Sequence, residues 1–205
     1  TATDAAGNSS TETTVDVTVD LTPPTGSIGT VATDDVVSKT EADAGFSVDV
    51  TAGSDTASVQ ITIGTTTKTA TLSGGTYSAT FVTAELPNDG THSISATLTD
   101  TAGNTSTVTR SVVIETQPPA APVIFGLNTS NADVINAGEA AGVVRVSGSA
   151  ETGSTVTVQL GAVTKTATVN PADNGWHVDY LSSELPSTDG NYTVTATATD
   201  AVGNV

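Results

Sequence analysis

Six acidic residues are the candidates for chemistry in this sequence, and they fall into two sets. Asp20, Asp55 and Asp100 form one; Glu115, Glu151 and Asp200 form the other. Each set draws one residue from a stretch ending in Pro-Pro and two from turns far apart in the chain. Three carboxylates held together without a counter-ion repel one another. A hard cation such as Ca²⁺, which takes about six to eight oxygen ligands, turns that repulsion into a clamp. The chemistry predicted is therefore cation binding, helped by backbone carbonyls around the prolines. The plainer account, turn formers on a solvated acidic surface, stands beside it.

The elements that position these residues follow from a motif that recurs. Thr99-Asp100-Thr101-Ala102-Gly103-Asn104 has copies at Thr3 to Asn8 and Thr199 to Asn204, with the aspartates 96 and 100 residues apart. A period near 100 residues marks a tandem array of domains of β-sandwich size. Gly three residues after Asp suits a hairpin loop, with Gly at positive φ and the Asp side chain bonded to backbone two residues on. Leu21-Thr22-Pro23-Pro24 and Glu115-Thr116-Gln117-Pro118-Pro119 are the joints, short and stiff because proline fixes φ. The chain thus divides into 1–20, the turn and last strand of a preceding repeat; 21–116, a first domain; and 117–205, a second domain that stops before its last strand.

Alternation of apolar and polar residues predicts strands near 26–32, 45–51, 57–63, 67–72, 76–82, 92–99 and 106–114, with a further strand carrying Val15, Val17 and Val19. No window keeps a 3.6-residue period, so no helix is predicted beyond a turn near Glu85-Leu86-Pro87. In an immunoglobulin-like order of seven strands, the turns after the second and sixth strands lie beside the incoming linker. That places Asp55 and Asp100 against Asp20, and Glu151 and Asp200 against Glu115. Asp34, Asp35, Asp43 and Asp89, with Asp133, Glu139 and Asp189 in the second domain, fall at the opposite poles as solvated turn residues. Residues 9–20 of one copy are also candidates to complete the second domain of another, because an open sheet edge accepts a strand.

The excluded classes are as informative. With 22 acidic against 5 basic residues and a net charge of −17, the chain has no basic footprint for nucleic acid or an anionic membrane. There is no cysteine, so no disulfide framework, and no run of the length of a membrane span. The two histidines build no catalytic site: His92 aligns with Tyr192 at a strand start where sandwiches carry a structural corner tyrosine, and His177 alternates away from Trp176 toward solvent. Trp176 is predicted as the core anchor of the second domain, over a sugar-stacking platform. No enzyme is expected.

Asp133-Val134-Ile135-Asn136-Ala137-Gly138-Glu139-Ala140, Ser147 to Glu151, Lys165 to Thr168, Gly175-Trp176, Glu184-Leu185-Pro186 and the Asp-to-Asn turns together resemble bacterial immunoglobulin-like repeats of giant type I-secreted RTX-type adhesins. The first domain departs from the pattern at Val37 to Ala42 and at Asp55. The resemblance implies an all-β fold of two tandem sandwiches, acting as an extender on the surface of a Gram-negative cell and stiffened by Ca²⁺ in the linkers. By motif it assigns ligand roles to Asp20, Asp55, Asp100, Glu115, Glu151 and Asp200, with neighbouring repeats as partners. Two alternatives remain open: a module binding carbohydrate, a receptor or ice, for which the row Thr193, Thr195, Thr197 and Thr199 is the candidate face, and a spacer of a secreted hydrolase.

Overall fold

The computed structural model describes residues 1–205, and its strands follow the alternation in the sequence. In the first domain β1 (Gly26–Ile28), β2 (Val36–Ser38), β3 (Phe46–Ala52), β4 (Thr56–Ile63), β5 (Thr66–Thr69), β6 (Thr71–Ser73), β7 (Thr76–Phe81), β8 (Gly90–Asp100) and β9 (Thr105–Glu115) form two sheets. One has the order β1-β3-β7-β6, the other β2-β9-β8-β4-β5. All pairs are antiparallel except β2 with β9, which run parallel. Phe46, Val48 and Val50 of β3, Val59, Ile61 and Ile63 of β4, Tyr77, Ala79 and Phe81 of β7, and Ile94, Ala96 and Leu98 of β8 point between the sheets. Because side chains alternate at period 2, the intervening Ser, Thr and Asp face water.

The second domain repeats the plan with β10 (Val123–Leu127), β11 (Val143–Ser149), β12 (Thr155–Leu160), β13 (Val163–Thr168), β14 (Gly175–Leu181) and β15 (Val194–Thr199). The sheets are β10-β11-β14 and β13-β12-β15. Its core is smaller: 8 buried residues against 19 in the first domain. Each buried aliphatic or aromatic side chain stabilises by about 1.5–3 kcal/mol relative to exposure, so burial contributes less to the second domain than to the first. Trp176, 3% exposed, is its anchor as expected. Gly148 makes room for it: a Cβ there would stand 2.3 Å from Trp176 Cζ2 and 2.0 Å from the Val123 carbonyl oxygen. Two face-packed sheets with these orders are an immunoglobulin-type sandwich, twice over.

Three expectations need correction. Residues 10–25 form no strand, and Val15, Val17 and Val19 are 84%, 76% and 74% exposed; alternation makes a strand only where a neighbour supplies the ladder. Two short helices are present, α1 (Lys39–Ala44) and α2 (Ala137–Ala140). Both begin with a reciprocal cap. Ser38 N–H donates to Glu41 Oε2 at 3.0 Å while Ser38 Oγ faces Glu41 N–H, and Asn136 and Glu139 repeat the arrangement. The signal was in the sequence as Ser-x-x-Glu and Asn-x-x-Glu; helices this short have no periodicity to read. Finally, the acidic residues placed at the far pole of the first domain are not simply solvated. Asp35 holds Arg110 in a two-pronged ion pair, Nε to Oδ1 at 2.6 Å and Nη2 to Oδ2 at 2.5 Å, which ties the segment before β2 to β9.

Candidate functional site: the acidic joints

The recurrent turn is built the same way three times. In the middle copy Asp100 Oδ1 accepts from Ala102 N–H at 2.9 Å and Asn104 N–H at 2.8 Å, and Oδ2 accepts from Asn104 Nδ2 at 2.8 Å. Asp4 with Ala6 and Asn8, and Asp200 with Val202 and Asn204, do likewise. Gly7, Gly103 and Gly203 sit at φ 89°, 95° and 91°, a region a side chain rarely enters. The aspartate of each turn is thus engaged by its own loop, and in the second and third copies the asparagine reaches outward. Sequence reasoning singled out the aspartates and missed the asparagines, although both recur at the same spacing.

At the first joint Asn104 Nδ2 donates to the Asp20 carbonyl at 3.2 Å, Ser106 Oγ to the Pro24 carbonyl at 2.5 Å, and Gly53 N–H to the Thr25 carbonyl at 2.8 Å. The turn after β3 and the turn after β8 therefore flank the linker. Asp20 Oδ1 accepts from Thr22 N–H, and Asp55 Oδ1 folds back over Gly53. Asp20, Asp55 and Asp100 share the pole, but their carboxylates do not meet.

At the second joint Asn204 Nδ2 donates to the Glu115 carbonyl at 2.9 Å, and Glu151 Oε2 accepts from Ala120 N–H at 3.3 Å. A cleft of about 380 Å³ opens there, lined by Asp89, Gly90, Val113, Ile114, Glu115, Gln117, the two prolines, Glu151 and Asp200. It therefore holds four carboxylates and no basic side chain. Asp89 was missed as a joint residue. It accepts from Thr116 N–H at 3.0 Å, Thr116 Oγ1 at 2.8 Å and Gln117 N–H at 2.9 Å, because the pole opposite the first linker is the pole that meets the second. No three acidic or imidazole side chains in the chain close on one point as ready metal ligands. The donor set at the second joint nonetheless fits a hard cation in kind, being all oxygen with an uncompensated negative charge.

The electrostatics of these groups have a sign that can be measured. Partial burial pushes the Asp100 carboxyl up, but the bonds from the Asn104 side chain and the turn N–H groups outweigh it and leave it below the ordinary 3.8. Asp89 behaves the same way against Gln117 and Thr116, and the Arg110 guanidinium holds Asp35 low. A carboxyl lowered on folding contributes stability that is fully present above its unfolded value and lost as pH falls through the folded one. Thermal melts at about 0.15 M salt, where long-range repulsion is screened, are therefore expected to lose midpoint below about pH 4. Asp35→Asn should flatten that fall; equal slopes in variant and wild type would contradict the assignment.

The remaining candidates are structural. His92 Nε2–H donates to the Asn88 carbonyl at 2.7 Å and Tyr192 OH to the Thr188 carbonyl at 3.0 Å, equivalent corner bonds in the two domains. His177 is exposed. Lys68 pairs with Glu85 at 2.6 Å and lies 5.0 Å over the Phe81 ring; Lys165 pairs with Glu184 at 2.6 Å and lies 5.4 Å over Tyr180. Thr195, Thr197 and Thr199 face outward in register with Gln159, Thr157 and Thr155 and, beyond them, Thr164, Thr166 and Thr168. Thr193 precedes the strand. Their Val and Ala neighbours fill the inner face. A larger cleft, about 890 Å³, runs from Phe125 and Val134 to Tyr192. It lies along residues equivalent to β2 and the start of β8, where β9 packs in the first domain.

Tandem immunoglobulin-type sandwiches joined by short proline linkers define the class as immunoglobulin-like repeat domains. Two profiles, each described as a bacterial Ig-like domain, match residues 25–116 and 130–205. The two domains belong to that bacterial immunoglobulin-like family. Among solved structures, the chain is similar to a Ca²⁺-stabilized adhesin with which an Antarctic bacterium reaches out and binds ice, at 33% identity over 90% of this chain and 47% of the other, TM-score 0.57. A 1.5-MDa bacterial ice-binding adhesin, described for its host cell surface retention, is also 33% identical, over 89% of this chain and 62% of the other, TM-score 0.51. This chain therefore spans about half to three-fifths of those structures. No curated protein sequence matches it, and no helix is long and apolar enough to cross a membrane.

Proposed function

We propose that these domains are extender repeats of a bacterial cell-surface adhesin, holding a binding element away from the cell, and that Ca²⁺ at the joints stabilises the array. The observation that carries the reading is the second joint: four carboxylates, Asp89, Glu115, Glu151 and Asp200, line one cleft between domains with no cationic side chain among them. Glu115 and Glu151 have the fewest partners there. They would hold the ion, with the carboxylates of Asp200 and Asp89 and the carbonyls of the linker beside them. Asp20, Asp55 and Asp100 are the corresponding set at the first joint. When bound, the ion supplies charge neutralisation and a cross-link between linker and turn. Similarity to adhesins, one of them Ca²⁺-stabilized, supports the reading. On this reading the chain is exported by a type I pathway as part of an RTX-class protein and stands outside a Gram-negative cell, and residues 1–20 are the tail of a preceding repeat.

Calcium titration of the chelator-treated chain tests it. Calorimetry is expected to give saturable binding, and the melting temperature is expected to rise. A ligand at 100 times its Kd stabilises by about 2.7 kcal/mol. Glu115→Gln with Glu151→Gln should remove the binding assigned to the second joint. A chain whose heat and melting temperature are both unmoved by Ca²⁺ would not be a calcium-stiffened extender.

A further inference from the structure

The three copies of the turn differ in what their asparagine touches. Asn8 bonds only within its own loop. Asn104 adds one linker carbonyl, that of Asp20. Asn204 is 3% exposed and is bonded on every side. Its Nδ2 faces Asp200 Oδ2 at 2.7 Å, the Glu115 carbonyl at 2.9 Å and the Gln117 carbonyl at 3.5 Å, while its Oδ1 accepts from Lys39 N–H at 2.9 Å. The surroundings fix the amide's orientation. Flipped, it would set an oxygen against three oxygens and an NH₂ against an N–H.

Lys39 belongs to the first domain and Asn204 to the second, with the linker between. One side chain therefore joins a turn of the second domain, the linker backbone and the first domain's α1. From the other side Asp89, in the turn before β8, takes the N–H groups of Thr116 and Gln117 and the Thr116 hydroxyl. Consecutive linker residues 115–117 are thus gripped from both domains: carbonyls by Asn204, N–H groups by Asp89. Ordinary linkers leave neighbouring domains free to move. We propose that Asn204 and Asp89 form a metal-independent latch that sets the angle between the two domains. The latch rests on protein hydrogen bonds alone; it shares Asp89 and the Asp200 turn with the proposed ion site but needs no ion to form.

The chain has no cysteine, so Thr69→Cys and Thr166→Cys, both exposed, give one spin-label pair across the joint. Pulsed electron–electron distance measurement in EDTA is the experiment. The otherwise native chain should give one narrow distance distribution. Asn204→Ala and, separately, Asp89→Ala should broaden it at least about twofold as the default inter-domain freedom returns. Circular dichroism on each variant establishes that both sandwiches remain folded, and the Asp89 change removes no side chain from the second domain's core. A native distribution as broad as the variants', or a variant distribution as narrow as the native one, overturns the latch. Because the measurement is made without metal, its failure leaves the calcium reading standing, and failure of the calcium titration leaves the latch standing.

Discussion

Replacing Gly148 by alanine is expected to unfold the second domain at temperatures where the first is intact. Gly148 lies on β11 opposite Trp176 and beneath β10. The added methyl would stand 2.0 Å from the Val123 carbonyl oxygen and 2.3 and 2.6 Å from two ring carbons of Trp176. Neither neighbour can give way cheaply. Val123 is held in the β10-β11 ladder, and the indole is buried in the same core cluster as Val146, Val156 and Val178. Overpacking a core costs about 1–3 kcal/mol when flexible side chains can adjust, and more when they cannot. Here a backbone carbonyl and an aromatic ring both resist, so about 3 kcal/mol or more is expected. For a domain near 100 residues that lowers the midpoint by on the order of 15 °C. Trp176 is the only tryptophan, so its fluorescence follows this domain alone. An unchanged fluorescence transition in Gly148→Ala would show that the sheet spacing is not set at this position.

Phe81→Ala is the counterpart in the first domain. Phe81 is fully buried, stacks on Phe46 at 6.2 Å and carries the Lys68 ammonium 5.0 Å above its ring. Truncating a buried phenylalanine costs about 3–5 kcal/mol, through lost transfer energy and the cavity left behind. The Lys68–Glu85 pair loses its apolar floor as well. Circular dichroism should show the first domain melting on the order of 20 °C lower, while the tryptophan transition keeps its place. The two cores share no residue, which is why separate transitions are expected. If both probes moved together, the joint would be coupling the domains into one cooperative unit.

Much of this was legible in the sequence, and the reason is local. Side-chain alternation is a property of the strand itself, so Phe46, Val48 and Val50, or Ile94, Ala96 and Leu98, announce their face without knowledge of the partner strand. The repeat seen in the turns and joints extends to the cores, where Tyr77 and Phe81 stand as Trp176 and Tyr180 do, and to the pairs Lys68–Glu85 and Lys165–Glu184. Alternation failed at Val15, Val17 and Val19, where the pattern is present and the neighbouring strand is not. The helix Lys39–Ala44 was missed because its signal is a cap, not a period.

The joints divide differently between the two levels. From the sequence came the linkers, the turn motif and the acidic residues beside them, since proline, glycine and aspartate impose their geometry within a few residues. Which member of Asp100–Asn104 or Asp200–Asn204 closes the loop and which reaches across was not readable there, because both can accept and both recur at fixed spacing. Only the packed domains decided it. The aspartate is closest to its own turn's N–H groups and is consumed by them, so the amide, with donors as well as an acceptor, is left facing the linker. Asp89 likewise acquired its role only when the far pole of one domain became the near wall of the next joint.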